Sequence, residues 1–315
     1  MLIRNARNIA ILVVAVSILA ASVWSLSSFQ WRDALAQLRS VDFVRLLILV
    51  WVVHFAYILV RSWRWRIAIK EANPSMSFLD FYWITAIVVS ISMLTPGQLG
   101  EALKIELLKR RGLLNRLPGL GAFVFERLLD LLVVATMGII GLMFGSGLAR
   151  RYSRLGIAAT LLIILALIAL YILLRFEPRG STSHWLASIR SGNASPGSWM
   201  GMAVLTICSW MLVAASWLMV LAAVQVRLSI LGVVWLISLV TLGMLVSFIP
   251  GGVGVSEVLA AAALTNMGIL SGPAQAGALM LRIYALMVVL FGLAHLAAWS
   301  ICRAPSRIRY HDSTD

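Results

Sequence analysis

The chain has 315 residues, of which 61% are hydrophobic and 12% charged, about half the charged fraction of an ordinary soluble domain. That balance, with a mean hydropathy of +0.96, excludes a soluble globular protein and points to a polytopic membrane protein. The net charge of +14 reads as Lys and Arg of cytoplasmic loops and not as a nucleic-acid surface, and two cysteines in apolar segments, Cys208 and Cys302, exclude a disulfide framework or a CxxC metal site.

Eight stretches are long and apolar enough to cross a bilayer. The first, 8–26, follows Arg4 and Arg7. A signal peptide ending near Ala20-Ala21-Ser22 is the alternative, but the repeat described below needs a retained span. The second, 43–60, is followed by Arg61-Ser62-Trp63-Arg64-Trp65-Arg66. Arginine alternating with tryptophan is an interfacial anchoring pattern, with headgroup guidance by Arg61, Arg64 and Arg66 as the alternative. The third, 77–94, runs into Pro96-Gly97-Gln98-Leu99-Gly100-Glu101 and a short helix to about Arg110. Lys104, Lys109, Arg110 and Arg111 beside it read as a solvated cluster. The fourth, 119–144, carries Glu126, Arg127 and Asp130. After 155–175 comes a polar connection, 176–198, rich in Gly, Ser and Pro. Spans 199–224 and 229–249 lead into Pro250-Gly251-Gly252-Val253-Gly254-Val255-Ser256-Glu257, continuing as a helix to about Met267. The last span, 275–302, carries Arg282, and 303–315 is a short polar tail.

Proline lacks a backbone donor and glycine permits angles that other residues resist, so each Pro-Gly run breaks a helix. Backbone groups freed at membrane depth must face protein or water. Pro96 and Pro250 are 154 residues apart, as are Gly97 with Gly251 and Gly100 with Gly254. Paired interruptions in two halves point to a transporter-type site. If each short post-glycine helix returns the chain across the membrane, 17 of the 26 Lys and Arg fall inside and 7 outside. The alternative, in which those helices dip and leave by the same face, splits the charge almost evenly. The positive-inside rule favours the first arrangement. The expected architecture is therefore all-α and polytopic, with about eight transmembrane helices and two broken, re-entrant half-helices in an inverted repeat. Repeat 1 covers about 8–144 and repeat 2 about 155–302 of a single integral-membrane domain, 1–315, with both termini cytoplasmic.

Arg127 and Arg282 lie roughly 12 and 10 Å into their spans at 1.5 Å per residue. A buried arginine needs a partner or a water-filled cavity. Glu126, Arg127 and Asp130 share one helix face, either as a packing cluster or as part of a site. Helix starts at the breaks favour an anion, and Gly97, Gly100, Gly251, Gly252 and Gly254 admit a bulky group to the backbone, unless they are simply tight turns. Arg127 and Arg282 would clamp phosphate oxygens. Glu101 and Glu257 close the two motifs; local dipole, arginine, cationic group and coupling proton all remain open as their partners. His54 and His295 read as packed or hydrogen-bonded residues. Gly141-x-x-x-Gly145 suits close helix approach. No catalytic residue, metal or cofactor is expected.

In this order, Arg61 to Arg66, Pro96-Gly97-x-x-Gly100-Glu101, Glu126-Arg127-x-x-Asp130, Pro250-Gly251-Gly252-Val253-Gly254-x-x-Glu257 and Arg282 resemble the lysylphosphatidylglycerol synthase transmembrane, or flippase-like, family over roughly 10–300. Gln98 and Lys104 stand where that family is associated with arginine. The resemblance implies movement of a polar or charged lipid between leaflets of the cytoplasmic membrane. The cargo would be an anionic or aminoacylated phospholipid or a polyprenyl-phosphate sugar. It also implies a lipid-modifying synthase or glycosyltransferase as partner. Aminoacyl transfer, which belongs to a separate soluble domain, is not expected. The rival readings are a membrane transferase with Glu101, Glu126, Asp130 or Glu257 as base, and a non-catalytic membrane subunit. Oligomeric state is left open.

Overall fold

The computed structural model describes residues 31–69, 77–110, 114, 116–144, 161, 163–165, 168–169, 196–247 and 249–302. Among these residues all regular structure is helical. The described residues open with a short amphipathic helix, α1 (Trp31–Arg39), which turns Ala34 and Leu38 inward. α2 (Phe43–Ile69) starts at Asp42, whose carboxylate accepts the Arg45 N–H at 3.0 Å, capping the first turn. Its 27 residues reach roughly 40 Å, more than a hydrocarbon core needs. The helix does not stop near residue 60. It carries Arg61 to Arg66 along its last turns.

α3 (Phe78–Ser92) is capped by Ser77, whose hydroxyl accepts the Asp80 N–H at 3.3 Å. It stops before Pro96 because Thr95 must be extended to avoid the proline ring (φ −98°, ψ 151°). The chain then forms a 3-10 segment, Pro96–Ala102, and passes directly into α4 (Leu103–Arg110). α5 (Arg116–Phe144) completes the first half. The second half holds α6 (Pro196–Ala223), α7 (Ile230–Ser247), a 3-10 turn at Pro250–Gly252, α8 (Val255–Asn266) and α9 (Ser271–Cys302). At this second break Gly251, Gly252 and Gly254 have φ of +63°, +61° and +84°, which L side chains resist.

Four helices have the length and apolarity to cross a membrane, and Phe78–Ser92 and Ile230–Leu245 are shorter apolar helices that each lead into a break. These six match the expected spans. The other two, 8–26 and 155–175, lie outside the described residues, save 161, 163–165 and 168–169, and so do the 303–315 tail and most of the 176–198 connection. α6 takes over the end of that connection, with Pro196 at its first position where no N–H partner is needed.

The two halves interlock. α2 packs along α6, α5 lies on α7, α9 lies on α3, and the two breaks touch each other. Each half thus packs against helices of the other. Gly138 on α5 and Gly292 on α9 mark two close approaches between the halves. A Cβ on Gly138 would strike Ser238 of α7, and one on Gly292 would lie 2.6 Å from the Cβ of Ser90 on α3. These glycines are separated by the same interval as Pro96 and Pro250. Gly141 also packs inside the chain, against Trp235 of α7, while Gly145 lies outside the described residues.

Candidate functional site

The end of α2, the first break, α4 and α5 bring seven charged side chains together. Arg64 is fully buried. Its guanidinium donates to Glu126 at 2.5 and 3.1 Å, to Asp130 at 2.6 and 3.1 Å, and to the Thr206 hydroxyl of α6 at 2.9 Å. Arg61 pairs with Glu101 at 2.6 Å and lies 3.2 Å from Glu126 and 3.5 Å from Asp130. Lys104 reaches Glu126 at 2.5 Å and sits 4.0 Å above the Trp65 ring. Arg127 pairs with Asp130 at 2.8 Å and Glu101 at 3.0 Å. Spacing explains the convergence. Arg61 and Arg64, three apart, share one face of α2; Glu126 and Asp130, four apart, share the opposing face of α5.

The second break builds a smaller pair. Arg282 donates to the Glu257 carboxylate through Nε, to the Gly251 carbonyl at 2.9 Å and to the Ser256 hydroxyl at 3.2 Å. The other oxygen of Glu257 accepts the Gly254 N–H at 2.8 Å and the Ser256 hydroxyl at 2.9 Å. Glu257 therefore serves as anion for its own helix start. At the first break the Gly100 N–H donates to Thr95 Oγ1 at 2.9 Å, and at the second the Gly252 N–H donates to the Ile249 carbonyl at 2.9 Å. Three of the five singled-out glycines, Gly100, Gly252 and Gly254, thus spend their N–H groups inside the breaks. Gly251 lies on a cavity wall, and Gly97 sits in the 3-10 segment beside it.

That cavity has a volume of about 120 Å³ and is partly open. Arg61, Arg127, Asp130, Gln98, Ser256 and Arg282 form its polar wall, and His54, Tyr57, Trp210, Trp217 and Tyr284 are among the aromatic groups facing them. Arg127 and Arg282 keep 29% and 21% of their side-chain surface exposed, whereas Arg61 and Arg64 keep 4% and none. The two arginines singled out from sequence share one chamber and are the accessible cations in it. His54 bonds Ser90 at 3.1 Å, and His295 bonds Tyr82 at 2.7 Å, so both are packed and partnered.

Two expectations are corrected. Arg61 and Arg64 are not interfacial anchors, and Lys104 is not solvated; all three are buried in the ion cluster. The reason is that α2 continues past the expected boundary and turns their face toward Glu101, Glu126 and Asp130. They accordingly do not count as loop charges. Only Arg66, stacked 5.8 Å over the exposed Trp63 ring, keeps the anchoring geometry. On the exposed side of α4, Glu106 pairs with Arg116 at 2.9 Å and Arg110 at 3.2 Å, bonds that hold its carboxyl below the usual range. Sequence reading missed Thr206, Ser256 and the cavity aromatics. Trp210 and Trp217, two helical turns apart, were the available signal.

Such a chamber between broken helices, walled by two accessible arginines in an apolar helical bundle, fits an integral membrane protein. The family description "Lysylphosphatidylglycerol synthase TM region" matches residues 9–292, and the chain belongs to that family. No curated protein and no solved structure matches it.

Proposed function

We propose that the protein moves a phosphate-bearing lipid between the leaflets of the cytoplasmic membrane. The headgroup sits between Arg127 and Arg282 while the acyl or prenyl tail stays in lipid. One observation carries this reading: two arginines from opposite halves of the chain line the same cavity, each paired to the glutamate of its own break. A phosphate offers each guanidinium a bidentate partner that competes with Glu101 or Glu257. Binding would thereby loosen both breaks together, and a shift of one half against the other would re-expose the headgroup. In this reading the chain is one integral-membrane domain of two inverted repeats, about 8–144 and 155–302, with cytoplasmic termini. A lipid-modifying synthase or glycosyltransferase supplies the cargo.

Mass spectrometry of lipids that copurify with the protein tests the reading. The native chain should enrich a phosphate-bearing lipid that an Arg127→Ala, Arg282→Ala double variant of unchanged folding loses. Equal bulk lipid in both would make the arginines structural and favour a membrane-subunit role. The topology has its own check. A cysteine at Ser313, in the tail outside the described residues, should resist labelling from outside intact cells, and ready labelling would overturn the inverted arrangement.

A further inference from the structure

We infer that the group attached to the phosphate is uncharged and rich in hydroxyls, a sugar or another polyol, and not an amine. This rests on the reading of the cavity as a phosphate-headgroup site and adds what that headgroup carries.

Charge is the first argument. In the buried cluster Arg61, Arg64, Lys104 and Arg127 face Glu101, Glu126 and Asp130, while Arg282 is matched by Glu257. One cation is left over, and the most exposed of the four is Arg127, on the cavity wall. A phosphodiester brings the single negative charge that balances it. An ammonium on the same headgroup would restore the surplus in a low-dielectric chamber, where an uncompensated charge is costly.

The second argument is the state of the acids. Asp130, on the wall, has one oxygen on Arg64 and the other shared among Arg64, Arg127 and Arg61. Both oxygens of Glu257 are also taken. Glu101 keeps one oxygen without a partner, but that residue is fully buried behind the cavity. Before any phosphate binds, an entering amine finds no unpaired carboxylate oxygen on the wall.

Neutral groups complete the wall. Trp210 and Trp217 give the wall aromatic surface of the kind that stacks on the C–H face of a sugar ring, while the Tyr57 ring is already stacked on His54 beneath Arg61. The indole N–H of Trp210, a residue of the wall, is buried and has no partner. It can only donate, so after a small ring rotation it is satisfied by a hydroxyl oxygen and never by an ammonium. Gln98 donates to Met93 Sδ at 3.6 Å, a weak bond that a hydroxyl oxygen would replace. Aromatic rings also attract ammonium groups, but the wall already carries the one unmatched cation of the cluster, whose repulsion opposes that attraction.

The test is native mass spectrometry of the purified full chain titrated with five lipid probes. These are phosphatidic acid, phosphatidylinositol, a polyprenyl-phosphate hexose, phosphatidylcholine and lysylphosphatidylglycerol. The inositol lipid or the polyprenyl hexose should bind at least about tenfold tighter than either amine-bearing lipid. Whichever of the two binds better names the source of the polyol. Trp210→Phe should cut that binding by about threefold or more and leave phosphatidic acid unchanged. Equal or tighter binding of an amine-bearing lipid overturns the inference, as does phosphatidic acid binding as well as the polyol lipids. If no probe is preferred and the Arg127→Ala, Arg282→Ala variant binds like the native chain, the phosphate site itself fails, and this inference fails with it.

Discussion

Arg64 makes five hydrogen bonds inside a helical bundle, and none of its side chain meets solvent. It staples α2 to α5 and α6. Removing one member of a buried ion cluster strands its partners, here Glu126 and Asp130, which costs about 3–5 kcal/mol. Arg64→Ala should therefore lower the thermal midpoint sharply and reduce folded yield in detergent. Arg64→Lys should recover little, because an ammonium cannot reproduce the planar fork that reaches both carboxylates. Arg127→Ala is the contrast. With 29% of its side chain exposed, its loss should lower the midpoint clearly less than Arg64→Ala while removing lipid retention. A collapse of folding as deep as that of Arg64→Ala would place Arg127 in the structural cluster instead.

At the scale of elements the breaks and the glycine contacts decide the geometry. Gly251 sits at φ +63°, and a Cβ there would also meet the Met93 carbonyl at 3.4 Å, against the other break. Gly251→Ala should cost about 1–2 kcal/mol from the left-handed backbone alone, seen as a lower midpoint in a thermal unfolding scan. Gly292→Val should cost about 1–3 kcal/mol by overpacking, because α9 would have to back away from Ser90 of α3. A Val tolerated there without loss would mean that α3 and α9 are not held in close contact. The breaks themselves were legible in the sequence, since Pro and Gly act through local backbone chemistry. The length of α2 was not. A run of Arg and Trp reads as an interface unless the acids that will pair with it are known, and Glu101, Glu126 and Asp130 lie 35 or more residues further along.

For the whole molecule, the packing of each half against the other makes a motion testable. Gly138→Cys with Ser238→Cys places the two Cβ atoms about 3.2 Å apart, so a few tenths of an ångström of separation brings them to disulfide distance and joins α5 to α7. Oxidation should stop lipid movement in a leaflet-exposure assay while headgroup binding persists. Movement at the native rate in the cross-linked protein would exclude sliding of these helices. By itself the sequence determined the membrane class, the apolar spans, the two breaks and their interval, because hydropathy and Pro-Gly chemistry act locally. It also marked Arg127 and Arg282 as costly in a membrane. Only the tertiary structure decided what satisfies them. An intramembrane charge takes its partner from whichever helix packs against it, and that packing is fixed by close contacts such as Gly138 on Ser238 and Gly292 on Ser90, which a linear reading does not contain.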